Sequence, residues 1–241
     1  MGALLAATLL AGCGSQASTP AVTPAYGGAA RDASSHAQAL TSFSENVRLD
    51  FAFINASHAD TSSLLLDGTV SGSDFQVALT RQGMGLSAQE QWIYWGGALY
   101  EGDGTVWKAA ASGQEQANPP QPPRSLLDDL KSFEVTAAEP DLEWAGTPCH
   151  SYTVISGSEV VWIYAPTWLR ELDANLDWRC KGEIYVGTED GLPRRIQLRL
   201  EGTERGTGLV KLSVNLDTGY ARFDDPSIKV TNPLQPQTPG S

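Results

Sequence analysis

Val47, Leu49, Phe51 and Phe53 alternate with Arg48, Asp50 and Ala52, and a chain that repeats this period of two must build a sheet with one apolar face. The pattern returns along the chain. Phe75, Val77 and Leu79 alternate with Gln76, Ala78 and Thr80; Ile196, Leu198 and Leu200 alternate with Gln197, Arg199 and Glu201; and Val210, Leu212, Val214 and Leu216 share one face. Short turn sequences punctuate the segments: SGSD at 71–74, GG at 96–97 and EDG at 189–191. Links this short join antiparallel strands, because a parallel pair needs a crossover of about a dozen residues.

Further strands are expected at 64–70, on both sides of Gly96-Gly97, at Val106-Trp107, at 133–138 and at 149–155. The run SEVVWIYAP at 158–166 is apolar on both faces and suits a central, doubly covered strand. Three helices are expected between them. Ser35 and Gln38 have capping-box spacing, and Leu40, Phe43 and Val47 follow on one stripe, predicting a helix over 35–47 that feeds the first strand. Ser125 and Asp128 predict a short helix reaching about residue 132 after a Pro-rich loop. Pro166, followed by Trp168, Leu169, Leu172 and Leu176 on one stripe, predicts the third. No βαβ alternation occurs. The fold expected is α+β: one curved antiparallel sheet of about eleven or twelve strands, a half-barrel, with about three helices covering or filling its concave face.

The beginning of the chain has a different character. Residues 3–11 are apolar and uncharged, too short a run for the roughly 20 residues of a membrane-spanning helix. Leu10-Ala11-Gly12-Cys13 resembles the bacterial lipobox, in which small residues precede a cysteine that receives a thioether-linked diacylglycerol. That resemblance implies a signal peptide over 1–12 and lipid attachment at Cys13, hence a membrane-anchored protein on the extracytoplasmic side. A signal ordinarily opens with Lys or Arg, and none precedes Arg31; a longer precursor with a basic leader would restore the pattern. Residues 13–34 are small, polar or Pro-containing and read as a flexible tether, with the globular domain at 35–233 and a loose tail at 234–241.

With Cys13 acylated, Cys149 and Cys180 form an even pair in an oxidising compartment and are expected to be bonded. Closing that loop would stabilise the fold by roughly 3–4 kcal/mol. A metal site at Cys149 and His150 lacks further ligands, since His36 and His58 lie in unrelated segments and neither CxxC nor HExxH occurs. The formal charge of −12 leaves no basic surface for nucleic acid. Nor do parts for catalysis assemble. There is no GxSxG elbow, and GMG at 83–85 lacks the rest of a phosphate loop. Asp128 and Asp129 are adjacent and point apart, and Glu189-Asp190 sits in a turn where solvated carboxylates are ordinary. Neither an enzyme nor a cofactor is implied.

Several phrases resemble the LppX/LprA/LprF/LprG lipoproteins of actinobacteria, which share a LolA/LolB-like half-barrel. They are the lipobox at Cys13, ALYEGDGTVWKAA, AGTPCHSYTV, GEIYVGTEDGLPRRIQLRLEG and KLSVNLDTGYARFDDPSIKVTNP, and the resemblance would cover about 35–233. The resemblance implies a monomeric carrier that takes a lipid, glycolipid or acyl-chain ligand into an apolar cavity and shuttles it. Candidate lining residues are Phe51, Phe53, Leu66, Phe75, Val77, Trp95, Trp162, Trp168, Leu169 and Leu172, with the Trp168 stripe as a lid. Core packing is the better account of any one of these aromatics taken singly; together they suggest a roomy interior. The alternative is a non-enzymatic envelope interaction or stress-sensing module of the same fold, engaging an envelope protein through its edge strands.

Overall fold

In a computed structural model of the protein, residues 27–55, 57–83, 86–110, 122–156 and 175–234 are described. The alternating segments become β1 (Ser42–Ile54), β2 (Ala59–Ser71), β3 (Asp74–Gly83), β4 (Leu86–Trp95), β5 (Ala98–Gly102), β6 (Trp107–Ala109), β7 (Glu134–Trp144), β8 (Thr147–Ser156), β9 (Leu176–Gly187), β10 (Pro193–Glu204) and β11 (Lys211–Ala221). They form one open sheet in the order β6-β5-β4-β3-β2-β1-β11-β10-β9-β8-β7, antiparallel at every junction. All neighbours but β1 and β11 are consecutive in sequence. The chain therefore meanders from mid-sheet to one edge, crosses to the other, and winds back until β11 lies beside β1. Leu49 faces Leu216 there, and Phe51 faces Val214. At the β4–β5 hairpin both Gly96 (φ 58°) and Gly97 (φ 87°) adopt the positive φ that a tight two-residue turn requires.

Two helices appear among the described residues, α1 (Gly27–Gln38) and α2 (Ser125–Asp129), the latter continued by a 3-10 turn at Leu130–Ser132. The third expected helix and the strand expected at 158–166 lie outside the described residues. α1 corrects the sequence reading. It spans 27–38 rather than 35–47, so residues 27–34, read as tether, are helical instead. The helical stripe is Ala30, Ala33, Ser34 and Ala37, all buried, and its small side chains let the helix lie close against its neighbours. Ser35 is not a cap; its hydroxyl donates to the Arg31 carbonyl one turn back, at 3.0 Å. Phe43 and Val47 belong to the alternation of β1. Leu176, expected on a helix, opens β9.

Ser125 is likewise not the cap of α2: Arg124 occupies that position without a side-chain cap bond. What holds the crossing segment is burial. Leu126, Leu127, Leu130 and Phe133 are all inside the core that the sheet shares with α1, each worth about 1.5–3 kcal/mol of transfer free energy. The connection between the two sheet edges thus becomes a plug on the inner face.

Candidate functional site

Cross-strand register decides which side chains share the inner face. Val47 faces Leu66, Leu66 faces Leu79, and Gly68 faces Val77, so the apolar sets of β1, β2 and β3 merge. Phe51, Leu66, Phe75 and Val77 are buried in this cluster and Phe53 packs against it partly exposed. Trp95 does not join them. Tyr94 stands opposite Phe75 and stacks on it at 5.4 Å, which turns Trp95, the next residue, to the other face. The inner-face tryptophan of β4 is Trp92, opposite Val77. Cys13, Trp162, Trp168, Leu169 and Leu172 lie outside the described residues.

The inner face has two different ends. At one, the helices fill the space. Phe43 meets Tyr220 edge-on at 6.3 Å, and Pro123 presses onto Gly68, where a Cβ would come within 2.9 Å of the proline ring. At the other end, Phe53 and Leu64 stay partly exposed, and the Trp178 ring lies over Gly202, its cross-strand partner. Polar groups also face inward there. Arg81 Nη1 donates to Glu90 Oε1 at 2.7 Å, and Trp92 Nε1 donates to Glu90 Oε2 at 3.3 Å. This group was missed in the sequence, although Glu90, Trp92 and Tyr94 already show the period of two; the face they occupy follows from pairing with β3.

The outer face carries a shallow groove of about 1040 Å³ across β1, β11, β10, β9 and β8, bordered by Arg48, Asp50, Lys181, Glu183 and Asp217. With Arg199, which also borders it, three cationic side chains face three anionic ones. Beside it Arg195 grips Asp217 with two bonds of 2.7 and 2.5 Å and lies 4.0 Å over the Trp144 ring, which stacks on Tyr185. Burial, reinforced by a hydrogen bond to Glu183, pushes the Tyr185 phenol up to about 12, while the bond to Asp217 raises Arg195 above its already high value. These groups keep their protons through the neutral range and act as a polar clamp between β7, β9 and β10.

The expected disulfide is absent: Cys149 and Cys180 are free thiols. Cys149 faces Gly187 on β9, seven positions along that strand from Cys180. At about 3.3 Å per residue this separates them by about 23 Å. A disulfide needs Cα atoms about 4.4–6.8 Å apart. Burial raises the pKa of both thiols, as desolvation of a thiolate requires.

No family model matches the sequence, and no curated protein matches it. In fold the chain is similar to LprF from Mycobacterium bovis, with 11% identity, 86% of this chain and 96% of that chain covered, and a TM-score of 0.53. Weaker likenesses include a LolA-superfamily protein from Nitrosomonas europaea (10% identity, 81% and 93% covered, TM-score 0.28). Another is MucB of Pseudomonas aeruginosa in its complex with MucA (14%, 80% and 56%, TM-score 0.28). The resemblance read from the sequence therefore holds in the fold, which is LprF-like.

Proposed function

We propose that this protein, having the fold of LprF, shelters the acyl chains of a lipid or acylated molecule against the inner face of its sheet and passes them on at an extracytoplasmic membrane surface. One observation carries the reading. The inner face is apolar from β4 through β1 and β11 to β8, yet its end away from α1 and α2 keeps Phe53, Leu64 and Trp178 partly exposed. A chain lying there gains about 0.8 kcal/mol per buried methylene, and transfer needs no catalytic group. Cys13, acylated after removal of residues 1–12, anchors the domain as a monomer.

Organic extraction of the purified protein followed by mass spectrometry tests this. Acyl lipid in near-stoichiometric amount is the expected result. Protein that carries none, and takes none from vesicles, overturns it. That outcome favours the second reading, an envelope interaction module, for which the open β6 and β7 edges of the described sheet offer unpaired backbone groups to a partner strand.

A further inference from the structure

We infer that Arg81 and Glu90, the latter held in place by Trp92, select the polar end of the cargo, and that they fit an uncharged, hydroxyl-bearing headgroup rather than a phosphate-bearing one. The inference rests on the carrier reading above. Its starting point is register. Glu90 stands directly opposite Leu79, and Trp92 opposite Val77, so both side chains face the same way as two core residues; Arg81, two positions beyond Leu79, does too. A charged pair thus stands on an apolar floor.

Exposure separates it from that floor. Leu79 and Trp92 are 3% exposed, whereas the side chains of Arg81 and Glu90 keep 31% and 22%. Water reaches the pair, and the head of a molecule whose chains lie on the apolar face would reach it as well. Pairs in this half-exposed setting add little to stability, so packing alone does not explain placing one among Leu64, Leu79 and Trp92.

The chemistry of the pair sets the ligand class. Arg81 brings five N–H donors, of which one on Nη1 goes to Glu90 Oε1, and each Glu90 oxygen has a second acceptor site beyond the bond from Arg81 or Trp92. A hydroxyl can donate to Glu90 and accept from Arg81 at once, satisfying both ions without adding charge. A phosphate could accept from Arg81 only by standing beside the Glu90 carboxylate, and like charges in a partly desolvated site are strongly disfavoured. The overall charge of −12 biases the surface the same way.

The test is a competition. The purified protein is incubated with vesicles containing equal amounts of dioleoyl monogalactosyl diacylglycerol and dioleoyl phosphatidylglycerol, reisolated, and its lipid quantified by mass spectrometry. The parent should take up the galactolipid in about tenfold excess, the equivalent of one charged hydrogen bond. Glu90→Gln, isosteric and uncharged, should bring the ratio to within about threefold. Equal uptake of both lipids by the parent, or a ratio unchanged in Glu90→Gln with parent-like circular dichroism, overturns the inference and leaves the carrier reading standing. Reisolated protein that carries neither lipid overturns both.

Discussion

Arg124 donates from Nη2 to the Leu40 carbonyl at 2.7 Å, joining the segment that crosses between the sheet edges to the corner where α1 turns into β1. Its Nη1 lies 3.3 Å from the carbonyls of Ala37 and Gln38, and the guanidinium sits 5.5 Å from the Phe43 ring centre. One cation therefore serves the orphan carbonyls at the end of α1, where the helix dipole also favours positive charge. Arg124→Met should lower unfolding free energy by about 2 kcal/mol in urea titration, and Arg124→Lys should recover less than half of that, because an ammonium does not fork across three carbonyls. Parent-like midpoints for both variants would refute the assignment.

Trp178 and Gly202 form a second dependent pair. A Cβ on Gly202 would lie 2.8 Å from Trp178 Cζ3, so the ring occupies the space that the glycine leaves open. Gly202→Ala should destabilise the protein by about 1–3 kcal/mol through overpacking. In a Trp178→Ala background the same change should cost much less, and a double-mutant cycle by thermal unfolding reads the coupling directly. Strictly additive effects would show that the two do not constrain one another.

The thiols offer a direct check of strand register. Denatured without reductant and treated with iodoacetamide, the protein should yield peptides carrying the label at both Cys149 and Cys180. In the native protein Cys180, partly exposed, should react before Cys149, which is buried. A recovered peptide linking the two residues would contradict the β8–β9–β10 pairing.

Acid should loosen the corner where the chain leaves β11. Asp224 accepts from the Thr41 backbone N–H at 2.7 Å and from its hydroxyl at 2.8 Å, and these bonds hold its carboxyl below the ordinary 3.8. Asp225, bonded to the Ser227 hydroxyl and backbone N–H and to Arg222, is lowered to about 2. For carboxyls depressed in the folded state, the stabilisation is complete above the unfolded value and is lost as pH falls through the folded one. Melting temperature should therefore decline from about pH 4 towards about 2. Asp224→Asn should lower it at neutral pH and flatten part of that decline; a variant with the parent's full acid slope would rule the residue out as a contributor.

Much of the sheet was legible because strand patterning is local. The period of two in 47–53, 75–79 and 196–200 places Phe51, Val77 and Leu198 on the buried face, and the glycines at 72 and 96–97 mark real hairpins. α1 was misplaced for a reason of scale. Its stripe, Ala30, Ala33, Ser34 and Ala37, has helical spacing but carries too little apolar surface to stand out before its neighbours are known. WIYW is aromatic or aliphatic at every position, so alternation gives no phase there, and the face of Trp95 follows only from the pairing of β4 with β3.

Alternation and turn glycines, which act over a few residues each, are enough to dictate an antiparallel, meandering sheet with one apolar face. Four features follow only from the folded chain: β11 returns to β1, α1 and α2 fill one end of the inner face, Cys149 and Cys180 lie far apart, and Arg81 meets Glu90 beside Trp92. All four require segments distant along the chain or on different strands to meet in space. The helices are placed by burial against the sheet, and the other three by cross-strand register, where a shift of one residue would turn every side chain of a strand to its opposite face.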